Sequence, residues 1–251
     1  MSEYRAMISS DWNECLAPCG PFDYIAFTYP HLSENLDVIF RGYTGNRINL
    51  EAAVQQVVAL LPEPITAQQM DAYLKSAFRT YTGVAELLAW CRERRILFMI
   101  NTTGAVGYFQ RVLANRFLPR FPALSAYPDP CFSAESTDPD SVYDLLQVQD
   151  KGVNTEKVGR AFNIPPHRIA IMGDSGGDGP HFKWAAENGV FLVASMPKSS
   201  LRKYCKEAGF QPDYVFGKSY DEGEPIDRNL EMAYDFMALT SVFEDRLGAG
   251  Q

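Results

Sequence analysis

The chain contains no apolar run approaching the roughly 18 residues that cross a membrane. Its opening stretch, MSEYRAMISSDWNE, has no apolar core of signal-peptide length. Together these absences lead to the expectation of a cytoplasmic protein with no membrane partner. An excess of basic residues is missing too. Lys and Arg number 23 against 31 Asp and Glu, for a net charge of −8 and a pI of about 5.0. This argues against nucleic acid as a partner, and any anionic substrate must meet local basic groups or a bound cation. The five cysteines, at 15, 19, 91, 131 and 205, are odd in number and scattered. That pattern fits reduced thiols better than a disulfide framework. Cys15 and Cys19 form a C-x3-C with no second pair, so they read as thiols rather than a metal site. There are no repeats, low-complexity tracts or long charge runs. What is present is an ordinary globular composition: 251 residues, 46% hydrophobic and 22% charged. That is enough for one large core, or for one domain carrying an insertion.

The stretch GDSGGDG, residues 173–179, contains the GDSGG run found around the nucleophilic serine of trypsin-like proteases. Its surroundings exclude that reading. RIAIM before it is a short apolar run of buried-strand type, HFKWAAEN after it reads as a helix stopped by Gly189, and VFLVASM is the next strand. Strand, glycine-rich loop, helix and strand make a βαβ unit with a parallel sheet. A trypsin-like domain is all-β and needs a suitably placed histidine, and only His31, His167 and His181 occur. Ser175 is therefore a turn residue, and His181 starts the following helix.

The same grammar recurs. RAMISS, residues 5–10, delivers Asp11 at its carboxyl end, and ILFMIN, residues 96–101, is followed by Thr102, Thr103 and Gly104. Ligands of open α/β sheets bind beyond the carboxyl ends of the strands, so Asp11, Thr102 and Asp174 are placed to meet in one site. Between these two strands lies a mostly helical insertion. Leu50, Ala53, Val54, Val57, Val58 and Leu61 form an apolar stripe that reads as core packing. Thr66 and Gln69 form a capping box opening a second helix. Residues 117–150 are the least readable part.

Taken together, the residues resemble the haloacid dehalogenase superfamily over nearly the whole chain. Asp11 stands where that family has its nucleophilic aspartate, Thr102 where it has a hydroxyl residue, Lys151 where it has a lysine, and Asp174 and Asp178 where it has its acidic loop. The stretch INLEAAVQQVVALLP and the run TGVAELLAWCRERRILFMINTTG are most similar to the enol-phosphate phosphatases of methionine salvage. The resemblance implies a Rossmann-like parallel-sheet α/β core, residues 1–17 and 82–251, with a small helical cap at 18–81. It also implies Mg²⁺ held by Asp11, the backbone carbonyl of Asn13 and Asp174, with Asp178 as a further acid. Lys151 would hold phosphate, and Thr102, with Thr103 competing and Gly104 beside them, would donate to it. Arg41 and Arg47 are the insertion's candidates to reach the substrate, and each also reads as a solvated surface arginine. The expected substrate is a small phosphorylated metabolite, and the expected assembly a monomer or homodimer.

One departure bears on activity. Phosphatases of that family carry a second aspartate two residues after the nucleophile, and here DWNECLAP places Asn13 there. An amide cannot protonate a leaving oxygen, and losing a general acid costs roughly 10²–10⁴ in rate. The expectation is hydrolysis through an aspartyl phosphate that is slow, or selective for good leaving groups. Asn13 is natural with Glu14 or a substrate group in the acid's role, or it marks a phosphate-binding protein without turnover, or it replaces an original aspartate. A minor alternative, C–P cleavage as in phosphonoacetaldehyde hydrolases, needs a Schiff-base lysine in the insertion, where only Lys75 is available.

Overall fold

The computed structural model describes residues 3–44 and 47–248. Seven parallel strands form one sheet in the order β4-β3-β2-β1-β5-β6-β7. They are β1 (Ala6–Ser10), β2 (Ile96–Ala105), β3 (Ala123–Tyr127), β4 (Ser141–Asp144), β5 (Ile169–Gly173), β6 (Phe191–Ser195) and β7 (Tyr214–Phe216). From β1 the chain works outward on one side to β4, then returns to lay β5 along the other side of β1. The strand order thus reverses between β1 and β5, which opens a crevice beyond their carboxyl ends. All five residues of β1 and all five of β5 are buried, because central parallel strands are covered on both faces.

Helices α5 (Val84–Glu93), α6 (Val106–Ala114), α7 (Asp150–Ala161), α8 (Gly179–Asn188), α9 (Ser199–Ala208), α10 (Arg228–Ala233) and α11 (Leu239–Leu247) complete the α/β layers. Gly189, at φ 69°, ends α8 in the left-handed conformation that its lack of a Cβ permits. The expected strands and helices around GDSGGDG are therefore present. β2 is longer than its apolar run predicts. It continues through Thr102–Gly104 to Ala105, with an irregularity between Asn101 and Ala105 after which pairing with β3 resumes. The unreadable stretch supplies β3 and β4. Among the described residues no helix is long and apolar enough to cross a membrane.

Between β1 and α5 lie four helices, α1 (Asp23–Thr28), α2 (Ser33–Thr44), α3 (Leu50–Leu60) and α4 (Ala67–Ala77). The Thr66–Gln69 capping box is formed, and the Asn49 side chain caps α3 by accepting from the Ala52 N–H at 2.8 Å. The α3 stripe only partly fills the core. Leu50, Ala53 and Val57 are buried, whereas Val58 is 49% exposed. This insert is fastened to the core at α4, where Arg111 on α6 grips Asp71 through two hydrogen bonds of 2.8 and 2.9 Å. Beside that clamp the Trp12 ring packs edge-on against Phe109 and stacks on Phe78.

Candidate active site

The acidic loop after β5 is folded by its own residues. Asp178 Oδ2 accepts from the backbone N–H groups of Asp174 (3.0 Å) and Ser175 (3.2 Å). Ser175 closes the turn as the other half of a capping box, the turn role its sequence suggests. The loop needs glycine at 173, because a Cβ there would lie 2.5 Å from Asp178 Cγ. His181, in α8, is fully buried and shares a hydrogen bond with Thr155.

Asp178 Oδ1 faces inward and takes a 2.6 Å ion pair from Lys151 Nζ, which also lies 3.1 Å from Asp11 Oδ1. Lys151 is delivered by the first turn of α7, and a buried network fixes that turn. The two hydrogens of Asn101 Nδ2 are shared among Ser9 Oγ, the Lys151 carbonyl and Thr155 Oγ1, all within 3.1 Å. Burial pushes the Lys151 ammonium down, but Asp11 and Asp178 outweigh it and hold its pKa above the ordinary lysine range.

Asp11 follows β1, and its N–H donates to the Met172 carbonyl of β5 at 3.0 Å. Two residues on, Asn13 is tied at both ends. Its Oδ1 accepts from Thr102 Oγ1 (3.2 Å) and its Nδ2 donates to the Cys19 carbonyl (3.1 Å). A carbonyl only accepts, so the amide nitrogen must face Cys19. Glu14, at φ 58°, occupies a left-handed conformation uncommon outside glycine. Its carboxylate pairs with both Lys198 and Arg228, so it is held between two cations and is not poised as a free acid. Arg228 also bonds Glu231 at 2.7 Å, and Glu231 accepts from the Tyr81 hydroxyl at 2.7 Å.

Asp11, Glu14, Lys151, Asp174 and Lys198 line a cleft of 620 Å³ between the sheet's carboxyl edge and the insert. Of the sequence candidates, Asp11, Asn13, Thr103, Lys151, Asp174 and Arg47 border it, while Asp178 and Thr102 stand buried behind. Thr102 spends its hydroxyl on Asn13 and accepts from the Gly104 N–H at 3.1 Å, so Thr103 is the threonine on the cleft wall. Arg41 is not brought in. It is exposed and pairs with Asp37 on the surface of α2 at 3.5 Å. Lys75, likewise exposed on α4, does not border the cleft. The sequence reading missed Glu14 as an ion-pair centre, and Lys198, Arg228 and Tyr43 altogether. Tyr43 borders the cleft with Thr103, and burial pushes its hydroxyl up to about 12.

The electrostatics point to a cation. Asp11, Asp174 and Asp178 each offer a carboxylate oxygen, and these lie within 4.8 Å of one another. Neither Asp174 oxygen has a hydrogen-bond partner, although Lys198 Nζ approaches Oδ2 to 2.9 Å outside hydrogen-bonding alignment. Buried carboxylates without donors are costly. Burial raises the Asp174 pKa well above the carboxylate range, and the charges of Asp178 and Asp11 add to it. Burial likewise lifts Asp11 to about 6, with Lys151 pulling it back. The unsatisfied oxygens of Asp174, the neighbouring Asp11 and an all-oxygen donor set suit a hard divalent ion.

No family model matches the chain, and no curated protein matches it in sequence. Solved structures do match it in shape. A phospho-aspartyl intermediate analogue of phosphoserine phosphatase superposes with a TM-score of 0.66 at 16% identity, over 95% of this chain and 99% of that one. A substrate-bound phosphoserine phosphatase gives 0.66 at 15% identity, over 94% and 97%. The fold is of the haloacid dehalogenase type. A hydrolase of that superfamily from Salmonella enterica serovar Typhi gives 0.66 at 14% identity, over 98% of this chain and 74% of that one. On a fold of this type, the switch point between β1 and β5 is where the acids converge.

Proposed function

We propose that this protein hydrolyses a small phosphorylated metabolite, with Asp11 attacking phosphorus. The observation that carries this reading is the convergence of Asp11, Lys151, Asp174 and Asp178 from β1, α7 and the β5 loop at the carboxyl edge of the sheet. In this reading residues 1–17 and 82–251 are the core, and 18–81 are a cap over the cleft. Mg²⁺ would be held by Asp11, Asp174 and the Asn13 carbonyl, with Asp178 orienting the loop. When bound, the ion supplies positive charge that lets two anions approach.

An Asp11 oxygen attacks phosphorus, the bond from phosphorus to the ester oxygen breaks, and an aspartyl phosphate forms. Lys151 neutralises the phosphoryl oxygens, and Thr103 donates to them from the cleft wall. The departing oxygen leaves as an anion or takes a proton from water, since the amide of Asn13 has none to give. Water then attacks phosphorus and the bond to Asp11 breaks. Phosphate leaves, and the water's proton passes to solvent. Without a built-in acid, enol, acyl and aryl phosphates are the favoured substrates.

A second reading, phosphate binding without turnover, draws on Asn13 itself. Its amide makes complementary bonds to Thr102 and Cys19, so this site is built around an amide. The test is Mg²⁺-dependent phosphate release from aryl, acyl and enol phosphates by the wild type, Asp11→Ala and Asn13→Asp. Slow release that vanishes in Asp11→Ala is expected, and release unchanged in Asp11→Ala would overturn the nucleophile assignment. Release only by Asn13→Asp would establish the second reading.

A further inference from the structure

A second hollow, of 240 Å³, opens beside the cleft, between the insert and the loop after β3. Its wall on one side is the α3 stripe and the residue that follows it, of which the core leaves Val58 half-exposed and Val54 and Leu61 partly covered, while Val57 is buried. Uncovered apolar surface of this kind is unfavourable in water unless a ligand fills it. Pro21 and Thr103 belong to the walls of both spaces, so the hollow begins where the cleft ends. The charge of the two spaces differs. The cleft is lined by Arg47, Lys151 and Lys198 together with Asp11, Glu14 and Asp174, whereas among the described residues the charged ones around the hollow are the acids Glu63 and Asp129. A phosphoryl group finds bases and the proposed cation in the first and only repulsion in the second. At 240 Å³ the hollow is smaller than the roughly 300–1,000 Å³ sites that take a whole drug-sized ligand, so it suits one ring or a short chain.

We infer that the hollow is the subsite for the organic end of the substrate, which is an uncharged aliphatic or aromatic group. The substrate is then an enol, aryl or acyl phosphate whose organic portion is apolar and carries no second anion. This rests on the phosphate site proposed above and extends it to the leaving group.

The test is calorimetric binding of n-alkylphosphonates, from methyl to octyl, to the intact protein with MgCl₂. Their C–P bonds are inert to ester hydrolysis, so the result does not depend on turnover. Affinity is expected to rise roughly fourfold per methylene up to about six carbons and then level, as burial of CH₂ groups requires. Val58→Glu, at a half-exposed position of the hollow, should flatten the rise while methylphosphonate binds as before. Val38→Glu, 70% exposed on α2 and outside both spaces, should leave it unchanged. If methylphosphonate binds and chain length has no effect, or if the rise survives Val58→Glu, the subsite is refuted and the phosphate site stands. If no phosphonate binds, the phosphate site fails and the subsite falls with it.

Discussion

Two loops carry the carboxylates into the cleft, and their side chains are held differently. In the β5 loop Asp178 binds the N–H groups of its neighbours Asp174 and Ser175, and the loop is also tied to the start of α9, where Ser200 Oγ accepts from Gly176 and the Lys198 N–H donates to the Asp174 carbonyl. In the β1 loop the backbone closes on itself, the Trp12 carbonyl accepting from the N–H groups of Cys15, Leu16 and Ala17, while the side chains reach outward. Asn13 is tied to Thr102, 89 positions away, and Glu14 to Lys198 and Arg228, 184 and 214 positions away. The Asp178 side chain shapes its own loop, whereas Asn13 and Glu14 are placed only as well as the distant elements that hold them.

The comparison breaks most severely at the residue that joins the two loops. Lys151 pairs with Asp11 on one and Asp178 on the other, so Lys151→Met strands two buried acids. A loss of about 3–5 kcal/mol in urea unfolding is expected, and a loss below about 1 kcal/mol would show the loops to be independent of it.

Acidity sharpens the contrast next. Burial sets Asp11 at about 6 in the folded chain, above the roughly 3.9 of a free aspartate. As pH rises from about 4 to about 6, Asp11 ionises first in the unfolded chain, so the folded state is relatively destabilised. In chelator, the wild type should lose about 2–3 kcal/mol relative to Asp11→Asn across that window. Urea curves for the two proteins that stay parallel with pH would refute it.

Substitutions in the separate loops follow. Gly173→Ala sets a Cβ 2.5 Å from Asp178 Cγ and should cost about 1–3 kcal/mol by overpacking. Asn13→Ala removes two hydrogen bonds from a half-buried position, for about 1–2 kcal/mol. Thermal unfolding of both, with Asn13→Ala the more damaging, would reverse the ranking of the loops. Smallest is Arg41→Ala, whose exposed pair with Asp37 contributes under about 0.5 kcal/mol. Neither stability nor the KM for an aryl phosphate should change.

The sequence disclosed the β5 loop and little of what holds Asn13 and Glu14. GDSGGDG sits between an apolar strand and a capped helix, so nearest neighbours define its chemistry. The ordered set of Asp11, Lys151, Asp174 and Asp178 could likewise be read along the chain. Lys198 and Arg228 carry no local signal, since a basic residue on a short helix reads as solvated until a distant acid is brought beside it. The choice between Thr102 and Thr103 turned on the irregularity in β2, which adjoining residues do not encode. In α3, periodicity marked an apolar face but not what covers it, and Val58 was read as core.

The central place of β1 has a consequence for how the chain folds. Ala6 pairs with Ile96 on one side and Met7 with Ile169 on the other, so β1 is made before both strands that flank it at the middle of the sheet. Such long-range pairing makes for slow folding. Until Ile169 has been synthesised, one edge of Ala6–Ser10 is open to any passing strand. Fragments truncated between β2 and β5 should therefore aggregate, and full-length chains should refold best when dilute.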